Sequence, residues 1–405
     1  MSTLESQTTS IARKVTTQAV MRTVLAEGAI SRTDVARLTG LSKQTVSEIV
    51  RSLEDDGWLK PSGRTDGRLG RQAITYEINA DAAHGLAIDV GGTKVAAAIG
   101  DLLGNIKAEV MLPTDPRGGT HLVDHLGRVV EQLAAEAGVA LADLRVAVLG
   151  TPGVFDPETG HVRIAPNVPG LENIDLRQLM GDRLGCPVIV ENDVNLAALG
   201  EQWRGQGAEL NDFAFVALGT GIGMGIIANR RLVRGARGAA GEISYLPLGA
   251  DPFDPRNFTV GTLEAAVGAA AITRRFAGYG GPSDRTVKDV FAALAEGDGL
   301  AAAAIEETAR LVAVTIASVG AVLDPEVVIL GGSIGARDEL VAAIRRFLPR
   351  CTPTPPPIAI SRFGNRAGLI GGISVAVAHM LDELFGIPLD QAAPSVGRLL
   401  AVSQG

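Results

Sequence analysis

An α/β body of two related lobes, preceded by an all-α winged helix-turn-helix domain, is the fold class this sequence predicts. Three observations carry the prediction. An apolar strand, a Gly/Thr turn and a second apolar strand occur at Gly85–Ile99 and again at Phe213–Gly235, about 130 residues apart. Two capped helices joined by a Gly turn lie within the first sixty residues. The composition is Gly-rich and apolar but aromatic-poor, with 50 Gly in 405 residues, 46% hydrophobic and 4% aromatic, as suits many tight strand–helix turns and not a disordered chain.

Charge divides the chain. The net charge is −8, yet residues 1–80 hold 11 Lys/Arg against 9 Asp/Glu and the rest 26 against 36. Any polyanion contact therefore belongs to the front. Cys186 and Cys351 lie far apart without metal-type spacing, which implies two reduced thiols. The N-terminal stretch MSTLESQTTS lacks the basic-then-apolar pattern of a signal peptide. The apolar run near Leu311–Leu323 is too short to span a bilayer, so a cytoplasmic protein is expected.

The head is assigned to residues 11–80. Val15–Ala26 carries apolar residues at helical spacing. In SRTDVARL, Ser31 is placed to cap a second helix and Asp34 to favour its positive end. After TGLS, Ser42 caps a third helix running through Glu54, with Val46, Ile49, Val50 and Leu53 inward. Its exposed start offers Ser42, Lys43, Gln44, Thr45 and Ser47, groups that can bond base edges and phosphates in a major groove. Two β-type runs, Gly57–Lys60 and Ala73–Ile78, flank a Gly/Arg loop with Arg64, Arg68 and Arg71, the pattern of a wing. A small protein–protein module with a solvated basic loop is the alternative, but cap, turn, polar helix face and wing agree on DNA.

In the body, AIDVGGTKV and ALGTGIGMG are turns whose backbone N–H groups can converge on phosphate. They single out Asp89, Gly91, Gly92, Thr93 and Lys94, then Gly219, Thr220, Gly221 and Gly223. Asp89 could position magnesium, usually through water. A third turn, VVILGGSIG, with Gly331 and Gly332, could hold the adenosine side of a nucleotide. In CPVIVENDVNLAALGE a buried strand ends where a helix starts, a common place for ligands in open α/β folds. Asp193 there is either a general base that takes a proton from a sugar hydroxyl or an ordinary helix cap, and Asn192 could bond a neighbouring hydroxyl.

In this order the motifs DVGGTK, PGVFD, APNVPGLEN, ENDVNLAALGE, LGTGIGMGI, GAAGEISY and ILGGSIG, behind a winged helix-turn-helix, resemble the ROK family of repressors, open reading frames and sugar kinases, and its repressor branch. The resemblance covers almost the whole chain. It implies a two-lobed actin-like, hexokinase-like ATPase fold, with a first lobe at 84–190, a second at 191–367, and a C-terminal helix near 368–387 packing back on the first. It implies that Asp193 matches the general base of the kinases, and that Asn167, Asn192, Asp193, Glu242 and Glu264 match the residues that hold the sugar ring.

The chain departs from the family at one place. The kinases carry a histidine three residues after the Glu of the GE motif and a cysteine cluster beyond it, which together bind zinc. Here the histidine position holds Tyr245, and no Cys or His lies between Glu242 and Glu264, so no zinc is expected. Tyr245 either contacts the sugar or fills the space the metal vacates. The resemblance implies a sugar-responsive transcriptional regulator of the repressor kind. It would bind pseudo-palindromic operator DNA as a homodimer or higher homo-oligomer, with a sugar or sugar derivative as effector and the segment Asn79–His84 passing the signal. The alternative is an ATP- and magnesium-dependent sugar kinase that carries a DNA-binding domain. TPTPPP (352–357) is a rigid connector before the edge run IAISRF.

Overall fold

The computed structural model describes residues 2–64, 73–165 and 167–388, and of residues 2–12 the backbone only. The head opens with α1 (Ser2–Glu27), followed by the two-residue strand β1 (Ile30–Ser31), α2 (Arg32–Thr39), α3 (Lys43–Asp55), β2 (Leu59–Arg64) and β3 (Ile74–Ile78). Ser31 Oγ accepts the N–H of Asp34 and starts α2; Gly40, at φ 72°, ends it. Ser42 Oγ accepts the N–H of Thr45 at 3.1 Å and starts α3, whose Val46, Ile49, Val50 and Leu53 are buried. The wing is a three-stranded antiparallel sheet in the order β1-β3-β2. Strand β1 joins the expected hairpin as a third strand, through Ile30 opposite Tyr76.

The body holds two five-stranded sheets of one design. The first comprises β4 (His84–Val90), β5 (Lys94–Asp101), β6 (Ile106–Pro113), β7 (Leu144–Thr151) and β10 (Val188–Asn192), with β8 (Val154–Phe155) and β9 (Val162–Arg163) paired beside it. Helices α4 (Gly119–Ala137) and α5 (Leu176–Leu184) interrupt these strands, and α6 (Asp193–Arg204) follows β10. The second sheet comprises β11 (Phe213–Leu218), β12 (Ile222–Ala228), β13 (Arg231–Leu232), β14 (Val327–Gly331) and β15 (Ile358–Ile360). The orders are β10-β7-β4-β5-β6 and, read in the same direction, β15-β14-β11-β12-β13. In each, a central antiparallel hairpin is extended on one side by two parallel strands. The two glycine turns sit at the tips of these equivalent hairpins.

Between β13 and β14 the chain forms α7 (Arg256–Val260), α8 (Thr262–Val267), α9 (Ala269–Gly278), α10 (Val287–Ala295) and α11 (Gly299–Leu323); α12 (Gly332–Gly335), α13 (Asp338–Phe347) and α14 (Ala367–Phe385) complete the order. Apolar side chains of β11, β12, α8, α11 and α13 make the core of the second lobe, and those of β4, β5, α4 and α5 a core of the first. A further core joins the head to α6 and α14. Helix α14, apolar and long enough to cross a membrane, is mostly buried here, packed against α6, β4 and β7.

Candidate functional site

The two hairpin tips and the start of α6 face one cleft. Gly91, Gly92, Thr93 and Lys94 meet Gly219, Thr220, Gly221 and Gly223 around a cavity of about 340 Å³, which Asn167, Asn192, Asp193, Glu242, Tyr245 and Glu264 also line. An adjoining cavity of about 500 Å³ takes in Asp89, Thr93, Lys94, Gly219, Thr220 and Gly332, with Lys288 and Ser333. The structure thus brings every proposed sugar residue to the first cavity and most of the proposed phosphate residues to both.

Gly331 lies elsewhere. A methyl on it would stand 2.3 Å from the Phe215 ring, so its missing side chain seats an aromatic inside the sheet. Gly223 lines the cavity and also makes room for Val194, which a methyl there would meet at 2.9 Å.

At the start of α6 two neighbouring residues divide the work. Asn192 Oδ1 accepts the N–H groups of Val194 and Asn195, at 2.9 and 3.0 Å, and its amide donates to the Gly153 carbonyl at 3.0 Å. Asn192 is the helix cap, so that role does not belong to Asp193. Glu191, one residue earlier, is fixed by the Asn195 amide at 2.9 Å and by Arg234 at 2.7 Å.

Asp89 and Asp193 form a carboxylate pair on the cleft floor. A methyl on Gly150 would come within 3.5 Å of Asp89 Oδ1 and 3.6 Å of Asp193 Cα; one on Gly368 would come within 2.7 Å of Asp89 Oδ2 and 3.4 Å of the Asp193 carbonyl. These two glycines let β7 and α14 close on the pair from either side. Burial, then the Asp193 charge, pushes the Asp89 carboxyl up to about 8. Burial pushes Asp193 up to about 6, opposed by the Val194 N–H at its Oδ1. Two close desolvated carboxylates resist full ionisation, which is the direction of both shifts. Glu242 is raised to about 7, by burial first and then by Asp193 and Glu264.

Glu264 braces the second glycine turn from the side of the first cavity. Its carboxylate accepts the Ile222 N–H at 3.1 Å, just past the second glycine turn, and burial raises its pKa against that bond. Tyr245 turns its hydroxyl to the Thr259 carbonyl, donating at 3.1 Å, and so joins the two ends of the segment 245–259. Burial, with Glu242 and Glu264 nearby, raises its phenol.

Residues 85–379 of the chain match the ROK family. The chain belongs to the ROK family. Its head, residues 14–69, matches the MarR family. The xylose repressor of Caldicellulosiruptor bescii is 26% identical over 90% of this chain and 95% of its own length. The glucokinase of Halalkalibacterium halodurans is 30% identical over 71% of this chain and 93% of its own. A solved ROK family transcriptional regulator, homologous to the E. coli MLC protein, aligns over 96% of this chain and 98% of its own with a TM-score of 0.71; at 21% identity this likeness concerns the fold.

In this ROK chain the head presents Ser42, Lys43 and Gln44 exposed, with Thr45 and Ser47 half-buried at the start of α3. Gln44 donates to Glu48 at 3.0 Å, within its own helix. Arg64 ends β2 and is exposed, whereas Arg68 and Arg71 lie outside the described residues. Sequence reasoning missed Gly150, Gly368, Lys288 and Ser333. Ser333 follows Gly332 in the third glycine turn and could have been read from it; no local signal marks the other three, which come from elements distant in sequence.

Proposed function

We propose that this protein is a transcriptional repressor whose ROK body senses a sugar or sugar derivative in the 340 Å³ cavity and whose head releases operator DNA in response. The observation that carries the reading is the joint presence of a capped, polar-faced α3 in the head and an acid- and amide-lined cavity in the body, linked through one shared core. Asn167, Asn192, Glu242 and Glu264 supply the donors and acceptors that sugar hydroxyls require. Two chains would set their α3 helices in successive major grooves of a pseudo-palindromic site. Tyr245 in place of a histidine, in a segment without Cys or His, does not fit zinc.

A second reading rests on Asp193 and both glycine turns. They fit a magnesium-bound nucleotide: Asp89 offers hard oxygens, usually to the metal's waters, and Thr93, Lys94 and Thr220 line the space beside it. Magnesium would neutralise phosphate charge there. Asp193, freed from capping, could accept a hydroxyl proton. Purified protein, given ATP, magnesium and a panel of hexoses, pentoses and N-acetylated sugars, tests this reading by ADP release. Turnover that Asp193→Asn abolishes would make the protein a kinase with a DNA-binding head; the repressor reading expects none above that blank. Enrichment of a defined sequence from a random DNA pool tests the head.

A further inference from the structure

We propose that α14 is the rod that carries the state of the cleft to the head, and that Trp58 is the joint it works on. The inference rests on the reading of the chain as a sugar-responsive DNA-binding regulator. It names the moving part.

One end of α14 is built into the cleft. Ala367 and Gly368 line the larger cavity, and Gly368 abuts Asp89 so closely that a methyl would stand 2.7 Å from its Oδ2. Farther along, the helix meets its neighbours backbone to backbone. A methyl on Gly371 would lie 1.7 Å from the Leu196 carbonyl of α6, and one on Gly200 of α6 would lie 2.5 Å from the Ala367 carbonyl. Contacts of this kind contain no flexible side chain to absorb a displacement. A shift of Asp89 or of the α6 start therefore moves α14 as a body.

The other end is built into the head. At about 1.5 Å per residue the helix spans about 28 Å and ends at Phe385, whose ring meets Trp58 edge-on at 5.3 Å and 88°. The Gln18 amide of α1 donates to the Gly386 carbonyl. Met380, Leu381, Phe385 and Ile387 share one core with Val20, Met21 and Leu53 of the head. Trp58 opens the wing, directly after α3. Its carbonyl accepts the Asn79 N–H at 2.9 Å, and the Asn79 amide donates to the Gly57 carbonyl at 2.9 Å.

The segment 79–84 joins the two parts: Asn79 is bonded to the head, and the residues after it are fastened to the body. The Ala80 carbonyl accepts the Leu102 N–H at 3.0 Å, and Asp81 pairs with Lys107 at 2.6 Å. Trp58 is thus held by the fixed linker through its backbone and by α14 through its ring. Movement of α14 pivots the wing and α3 about that point.

A double-mutant cycle tests the rod. The full-length chain first enriches a DNA fragment from a random pool, and affinity for that fragment is measured for each variant. Gly368→Ala displaces the cleft end of α14, and Asp89→Asn perturbs the same end through a side chain. Gln18→Ala with Phe385→Leu loosens the head end while keeping its apolar bulk. We expect Gly368→Ala and Asp89→Asn each to change the dissociation constant at least about five-fold in the otherwise native chain. In the loosened background the change should fall below about two-fold. Equal changes in both backgrounds, or none in folded variants, overturn the proposal. If Gly368→Ala melts the fold, Asp89→Asn carries the cycle alone. Failure of the wild-type chain to enrich any sequence overturns the regulator reading itself, and is seen before any variant is made.

Discussion

Asn192 caps α6 with its side-chain oxygen, and by doing so leaves the carboxylate of Asp193, the next residue, on the cleft floor. The two roles separate in stability measurements. Replacing a capping Asn by Ala costs about 1 kcal/mol, so Asn192→Ala should lower the urea midpoint accordingly. Asp193→Asn should hold or raise it, since it removes a desolvated acid and keeps an oxygen for the Val194 N–H. A larger loss from Asp193→Asn would return the cap to Asp193.

The acid cluster gives the fold a pH dependence of definite sign. Asp89 rises from 3.8 to about 8 in the folded chain, and Glu242 from 4.5 to about 7. Between about pH 4 and 8 the folded state therefore binds more protons than the unfolded one, and this cluster's contribution to stability falls as pH rises. Denaturation of wild type, Asp89→Asn and Glu242→Gln at pH 5 and pH 8 should show wild type losing more stability across the interval than either variant. Parallel losses would contradict the raised values.

The head should read DNA in two ways. Lys43, exposed on the first turn of α3, should contribute about 1–3 kcal/mol to discrimination, so Lys43→Ala should weaken the enriched sequence more than random DNA. Arg64→Ala on the wing should weaken both alike and reduce the salt slope by about 1. Competition binding at several salt concentrations distinguishes these outcomes. Equal losses from Lys43→Ala would show that α3 does not read bases.

Tyr245 should act as a clasp on its loop. Its bond to the Thr259 carbonyl is worth about 0.5–1.5 kcal/mol, while Phe253 and Phe258 stand 91% and 83% exposed. Limited chymotrypsin digestion should cut Tyr245→Phe at these residues roughly two- to ten-fold faster than wild type, by that same free energy. An unchanged rate would leave the loop held by its other contacts.

Much of this was legible in the sequence because the signals were local. Ser31 and Ser42 announce their helices by cap chemistry, and the two glycine turns announce equivalent hairpins. The third head strand was not legible, since Ile30–Ser31 is extended only by pairing with Thr75 and Tyr76. The packing role of Gly331 was not legible, because a glycine that makes room for a Phe ring reads like one that lets a phosphate approach. The closing of Gly150 and Gly368 on Asp89 joins residues from three distant strands and helices, which periodicity cannot report. The reach of α14 to Trp58 was hidden for the same reason.

The central claim is that sugar in the cleft governs DNA in the head. The direct measurement is dissociation of the full-length chain from its enriched DNA fragment while pentoses, hexoses, N-acetylated sugars and their phosphates are titrated in turn. The account predicts that one sugar class weakens binding at least about five-fold, and that Asn167→Ala or Glu242→Gln blunts the response. DNA binding that no sugar alters, beside sugar-dependent ADP release, would contradict it and make the body an enzyme.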